Sequence, residues 1–268
     1  MSVKHFFLLS ICSFFLLFAN NAFANLGVTP TIIYFEDGER FKDVTLINNT
    51  EETKTYEMSW KFFEMQSTGT SYKPIESSLT EFDTSKYVFF TPRRITIPAN
   101  GSQKIRMAYR RPSTLPDGDF HAHLLFAPAD DPIQDAAQTG QRRASAGVAM
   151  RIGYSIPIII RNGSFQEAGK IGRINLKRSD NGRLIVDVPI TRNPGKHGTL
   201  AALEVYHQLD GREKLVGEVV NANIFPEIEQ RTIGVALREE VQRGQLKIVL
   251  KSIKAGNPVF DEQIFPLQ

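Results

Sequence analysis

The chain has 268 residues, with 32 Lys and Arg against 29 Asp and Glu, and a single cysteine. A net charge of +3 gives no bulk attraction to nucleic acid or to an acidic membrane surface, so neither partner class is expected. The length accommodates one large domain or two ordinary ones, each with its own buried core.

Residues 1–24 read as an address. Lys4 precedes an almost wholly apolar run from Phe6 to Ala19, followed by Asn20-Asn21 and then Ala22-Phe23-Ala24. Small residues one and three positions before Asn25 complete the layout of a cleaved secretory signal peptide. The apolar run is shorter than the roughly 18–20 residues of a spanning helix, which argues against an uncleaved anchor. Lipidation at Cys12 is disfavoured because the small-residue site lies downstream of it. Taking 24 from 268 leaves 244 residues, and losing Lys4 leaves 31 basic against 29 acidic. The mature chain then has no cysteine, so packing alone must stabilise it in an oxidising compartment. No later stretch is long and apolar enough to span a bilayer, so no membrane insertion is expected after cleavage.

Period-two patterns dominate the rest of the chain. Ile32 to Phe35 is a strand, turned at Glu36-Asp37-Gly38, and Val44 to Ile47 is a second, stopped at Asn48-Asn49. Thr55 to Phe63, which holds Trp60, comes next, then Tyr87 to Phe90, Arg94 to Ile97, Lys104 to Tyr109, Phe120 to Phe126 and Val148 to Ile160. Pro98-Ala99-Asn100-Gly101 and Pro116-Asp117-Gly118 supply turn chemistry between them. A hinge at Arg161-Asn162-Gly163-Ser164 opens a second series: Gly172 to Leu176, Leu184 to Thr191, Leu200 to Gln208, Lys214 to Val220, Arg231 to Val235, Leu246 to Ser252 and Phe260 to Phe265. Asn181-Gly182 and Asp210-Gly211 are hairpin signals. Only Val235 to Arg243 reads as a short helical turn. The expected fold is all-β, with two immunoglobulin-like sandwiches over residues 25–162 and 165–268. Between strands, 128–146 is a long polar loop of the kind that is functional or mobile.

The strand after that loop alternates over an unusual length. One face carries Val148, Met150, Ile152, Tyr154, Ile156, Ile158 and Ile160. Either all of them face the domain's own core, or the N-terminal half is an exposed edge that offers its side chains to a partner. An exposed apolar edge invites aggregation unless it has a use, and pairing with a sheet that lacks a strand is such a use.

With these pieces in place the sequence resembles the PapD-like periplasmic chaperones of the chaperone–usher pilus pathway. The resemblance rests on the Thr31-to-Tyr34 opening strand, Thr55 to Trp60, Tyr87 to Pro92, Pro98 to Met107, Leu115 to Gly118 and the long strand closing at Arg161. It covers the first domain; the second matches in size and β content. The resemblance implies two sandwiches in an L or boomerang arrangement, a periplasmic location, and fimbrial assembly by donor-strand complementation. It implies pilin or fimbrial subunits and an outer-membrane usher as partners, possible self-association when free, and neither an enzymatic activity nor a cofactor. The donor strand would be Val148, Met150, Ile152 and Tyr154, flanked by Ile32 and Tyr34 of the opening edge strand. Members of the well-known branch grip the subunit's terminal carboxylate with two basic residues, whose positions here hold Ile32 and Pro157. That departure resembles the archaic or alternative branches and leaves Arg151, Arg110, Arg111 and His121 as candidates for a relocated cation. Arg161 corresponds to an arginine that fixes the two domains through acidic partners, with Asp119 as a candidate partner.

Two alternatives stand beside this reading. The chain could be a structural pilus subunit or adhesin, although the length and missing cysteine pair speak against it. It could also be a secreted metal-dependent hydrolase built on His121, His123 and Asp119, where His121-Ala122-His123 puts two imidazoles on one strand face. No metal site is expected, because no Cys or Glu-x-x-His motif accompanies them. No nucleophile elbow, phosphate loop or dinucleotide fingerprint occurs.

Overall fold

The computed structural model describes residues 26–68, 72–76, 81–129 and 152–267. The expected leader, the polar loop from 130 to 146, and Val148, Met150 and Arg151 therefore lie outside the described residues; Pro128, expected to open that loop, ends β9. In chain order the first half forms β1 (Leu26–Thr29), β2 (Ile33–Phe35), β3 (Phe41–Asn48), β4 (Lys54–Met65), β5 (Tyr72–Ile75), β6 (Val88–Thr91), β7 (Arg94–Ile97), β8 (Ser102–Tyr109), β9 (Gly118–Pro128) and β10 (Tyr154–Asn162). One sheet runs β1-β3-β8-β6; the facing one runs β2-β10-β9-β4-β5, with β7 also on β4. Alternation drives this assembly. Val44 and Leu46 on β3, Ile105 and Met107 on β8, and Phe120, Leu124 and Phe126 on β9 all turn into one buried cluster. Asn48 ends β3 as a buried amide and donates to the carbonyls of Glu52, Ile97 and Pro98 at 2.7, 3.1 and 3.0 Å. That amide ties the strand end to the turn before Gly101, where Asn100 takes a φ of 52°.

The second half forms β11 (Gly169–Ile171), β12 (Asn175–Arg178), β13 (Leu184–Arg192), β14 (Ala201–Leu209), β15 (Arg212–Val219), β16 (Gln230–Ala236), β17 (Gln245–Ser252) and β18 (Val259–Pro266). In one sheet β13 takes β11 and β12 on one side and β16 on the other, and the second runs β15-β14-β17-β18. Val186, Val188, Ile190, Leu203, Val205, Ile248 and Leu250 fill the space between the two sheets. Asp210 and Gly211, with φ of 51° and 73°, make the two-residue turn from β14 to β15; positive φ at both positions matches the right-handed twist of the strands it joins. The architecture is all-β, in two sandwiches.

Three expectations need correction. Val235 to Arg243 is not helical: Ile233, Val235 and Leu237 enter the core at every second residue, and Leu237 N–H donates to the Leu184 carbonyl at 2.9 Å. Packing at period two overrides the local helix preference of Ala-Leu-Arg-Glu-Glu. Gly172 to Leu176 is not one strand: Gly172 to Ile174 link β11 to β12, which begins at Asn175, and Gly172 N–H donates to the Pro189 carbonyl at 2.7 Å. Strands β1 and β5 arise where none was expected; β5 tolerates Pro74 because it lies at the sheet's edge.

Candidate functional site

Strand β10 decides where a site can sit. Along its whole length it pairs antiparallel with β9, from Tyr154 opposite Phe126 to Asn162 opposite Gly118. On its other side β2 covers only Ile158, Ile159 and Ile160, in parallel. Among the described residues, no strand therefore pairs with the β2 side of β10 from Tyr154 to Pro157. The side chains follow the same division. Ile156, Ile158 and Ile160 are fully buried in the first core, whereas Tyr154 is 41% and Ile152 76% exposed. Gly153 lies flat on β9: a Cβ there would sit 2.9 Å from Leu125 Cδ1.

The opposite face of the β10–β9 pair is covered by the second sandwich. Ile159 joins Met65, Leu200 and Phe225 in a cluster that spans the two halves, with Ile32, Tyr34 and Tyr72 packed against it. Ile32 and Tyr34 also line a cleft of about 530 Å³ with Lys42 from the first sandwich and Lys251 and Ile253 from the second. Both lysines are already paired, Lys42 with Glu39 at 2.5 Å and Lys251 with Glu204 at 2.6 Å.

Arg161 and Asp119 face each other in the β10–β9 register and are almost fully buried. The guanidinium donates to Asp119 at 3.2 Å, to Glu167 at 2.8 Å and to the Gly198 carbonyl at 2.6 Å. Asp119 in turn accepts the Gly198 N–H at 2.8 Å and pairs with His197 Nδ1 at 2.8 Å. A buried charge set of this kind is tolerated where its members hydrogen-bond one another, as these do. It ties the outer face of the six-stranded sheet to the second sandwich.

The candidate cations are placed elsewhere. His121 is buried between the rings of Phe82 and Phe225, with Nε2 3.1 Å from Glu227. Burial pushes the Glu227 carboxyl up, but the bonds from His121 and from Met65 N–H outweigh it, and its pKa is lowered. A histidine covered by a second sandwich cannot reach a terminal carboxylate, so that candidacy of His121 is withdrawn. Arg110 lies over the Phe89 ring at 4.9 Å and Arg111 pairs with Asp37 at 2.8 Å; neither lines the cleft. Lys42 and Lys251 in the cleft went unnoticed in sequence, where nothing links a lysine on β3 to one on β17.

The metal reading fares no better. Asp119 is held by Arg161 and His197, His121 by Glu227, and His123 meets the edges of Phe63 and Tyr72 at ring distances of 4.9 and 5.1 Å. Burial, then the neighbouring His121, pushes the His123 imidazole down to about 3. Among the described residues no group of three His, Cys, Asp or Glu side chains could hold a metal ion.

Against known proteins, no family model and no curated protein matches the chain. Solved structures do. The Pseudomonas aeruginosa CupB2 chaperone is 12% identical, covering 90% of this chain and 100% of its own, with a TM-score of 0.43. A chain of the Salmonella enterica SafA pilin–SafB chaperone complex is 13% identical over 93% of this chain and 99% of that one, with a TM-score of 0.46. From Acinetobacter baumannii, the CsuC-CsuE chaperone-tip adhesion subunit pre-assembly complex of archaic chaperone-usher Csu pili contains a chain at 12% identity, covering 89% of this chain and 98% of that one, with a TM-score of 0.44.

Proposed function

We propose that the chain is a periplasmic chaperone that stabilises pilus or fimbrial subunits by lending them a strand, and that it passes them to an outer-membrane usher. The observation that carries this reading is the divided β10. Its C-terminal half is locked on both faces, while its first residue Tyr154, and Ile152 just ahead of it, are exposed beside a stretch that β2 leaves uncovered. A sheet that lacks one strand exposes backbone donors and acceptors together with an apolar groove. An edge with alternating apolar side chains satisfies both, and burial of each such side chain contributes roughly 1.5–3 kcal/mol. The chemistry is binding, so no reacting group is assigned and the chain is read as a non-enzyme. Val148 and Met150 continue the alternation of Ile152 and extend the donor segment. Ile32 and Tyr34, which line the cleft, are proposed to meet the subunit beside it.

Co-expression with candidate pilins in a bacterial periplasm tests this. The unaltered chain should yield a one-to-one complex. Met150→Asp with Ile152→Asp should abolish capture while the unfolding midpoint of the free protein stays put. Normal capture by that doubly changed, folded protein would falsify the donor-strand assignment.

A further inference from the structure

Strand β16 is an outer strand of its sheet, with β13 on one side. Thr232 sits opposite Pro189, whose carbonyl accepts the Gly172 N–H on the far side of β13, so this is a non-hydrogen-bonded pair and the backbone groups of Thr232 point away from β13. Outward-pointing groups on a sheet edge recruit whatever strand is near. Here the recruit comes from the other sandwich. Thr232 N–H donates to the Ser67 carbonyl at 2.9 Å, and Thr68 bridges Thr232 in parallel.

Met65, two residues before Ser67, is buried in the cluster that spans the two sandwiches, beside Leu200 and Phe225, and not in the first core. Its N–H donates to Glu227 at 3.0 Å, while its Sδ accepts the Phe225 N–H at 3.4 Å and stands 3.8 Å from Arg231 Nη1. Tyr72, paired with Met65 across β4–β5, lies beneath the Arg231 guanidinium at 5.6 Å and beside Phe225 at 6.4 Å.

We propose that Met65 to Thr68 is a brace: the end of β4 closes the open edge of β16 and couples the two sandwiches into one cooperative unit. Met65 and Thr232 are its positioning residues. Together with the Arg161 network it fixes the second sandwich over the outer face of the six-stranded sheet and restrains bending at Gly163. The inference stands apart from the subunit-holding reading, and its test uses no subunit.

The full chain, with Cys12→Ser, is labelled at Lys104→Cys and Arg212→Cys, one site on each sandwich, and examined by electron-spin distance measurement and calorimetry. The otherwise unaltered protein should give one narrow distance distribution and a single unfolding transition. Adding Thr232→Pro, which removes the outward donor without touching the β13 ladder, together with Met65→Ala, should broaden the distribution and split the transition into two. A single transition with an unchanged distribution in that variant overturns the brace. If the variant does not fold, amide exchange in the unsubstituted chain decides. Thr232 should then exchange roughly tenfold more slowly than Gly234, two positions along the same edge. Equal rates overturn the proposal.

Discussion

The two halves of β10 are written in one alphabet and meet opposite fates. From Ile156 to Ile160 the alternating isoleucines are wholly buried, and Ile159 on the reverse face is buried too. Two residues earlier, Tyr154 and Ile152 continue the same alternation into solvent. The difference lies in what covers the strand. Strand β2 pairs with three residues and stops, and the second sandwich covers the reverse face only toward the Arg161 end. Apolar periodicity marks a strand as capable of burial on one face; the neighbours decide how far along that face burial extends. Edge β16 makes the same point from the other side, since its outward donor is met by Ser67 from the first sandwich.

That contrast can be broken at several depths. Arg161→Ala leaves Asp119 and Glu167 buried without their cation and should cost about 3–5 kcal/mol in urea unfolding. Ile158→Ala opens a cavity in the locked half and should cost about 2–5 kcal/mol, whereas Ile152→Ala, in the exposed segment leading into β10, should stay within about 0.5 kcal/mol of zero. Equal losses at the two isoleucines would erase the division of β10.

His123→Leu sharpens the account of the covered face through pH. The buried imidazole is pushed down to about 3, from 6.5, so the unfolded chain takes up a proton that the folded chain refuses. Stability should therefore fall as pH drops below about 6.5, by up to about 1.4 kcal/mol per pH unit. Glu227, held low by His121 and Met65 N–H, adds a loss of the same sign once pH falls toward its own range. His123→Leu should flatten the upper part of that slope, read from unfolding midpoints between pH 7 and 4. The smallest effect belongs to Arg94→Ala, whose partner Glu57 sits as exposed as it does. There the change should be about 0–1 kcal/mol and vanish in high salt.

Much of this was legible in the residues. The all-β class, the Asp210-Gly211 hairpin and the alternation of β10 follow from period-two burial and turn chemistry, which act over a few residues. The face between the sandwiches was not legible, because it joins positions far apart in the chain. Nothing near His121 announces Glu227, and nothing near Met65 announces Thr232. Tyr72-Lys73-Pro74-Ile75 escaped notice since a proline argues against a strand unless the strand lies at an edge, and an edge is a tertiary fact. The same holds for Lys42 and Lys251, which share a cleft only because the second sandwich packs beside β2. The pairing of Arg161 with Asp119, by contrast, was named from the resemblance, and the register of β10 on β9 sets the two side by side.

The central claim is that the uncovered end of β10 is where a subunit is held. Amide exchange of the chain alone and in a purified complex with a pilin measures this residue by residue. The account predicts strong new protection from Ile152 to Ile156 on complex formation, with Ile158 to Asn162 protected equally in both states. Unchanged exchange at Ile152 to Ile156 in a stable complex, with protection gained elsewhere, would contradict it.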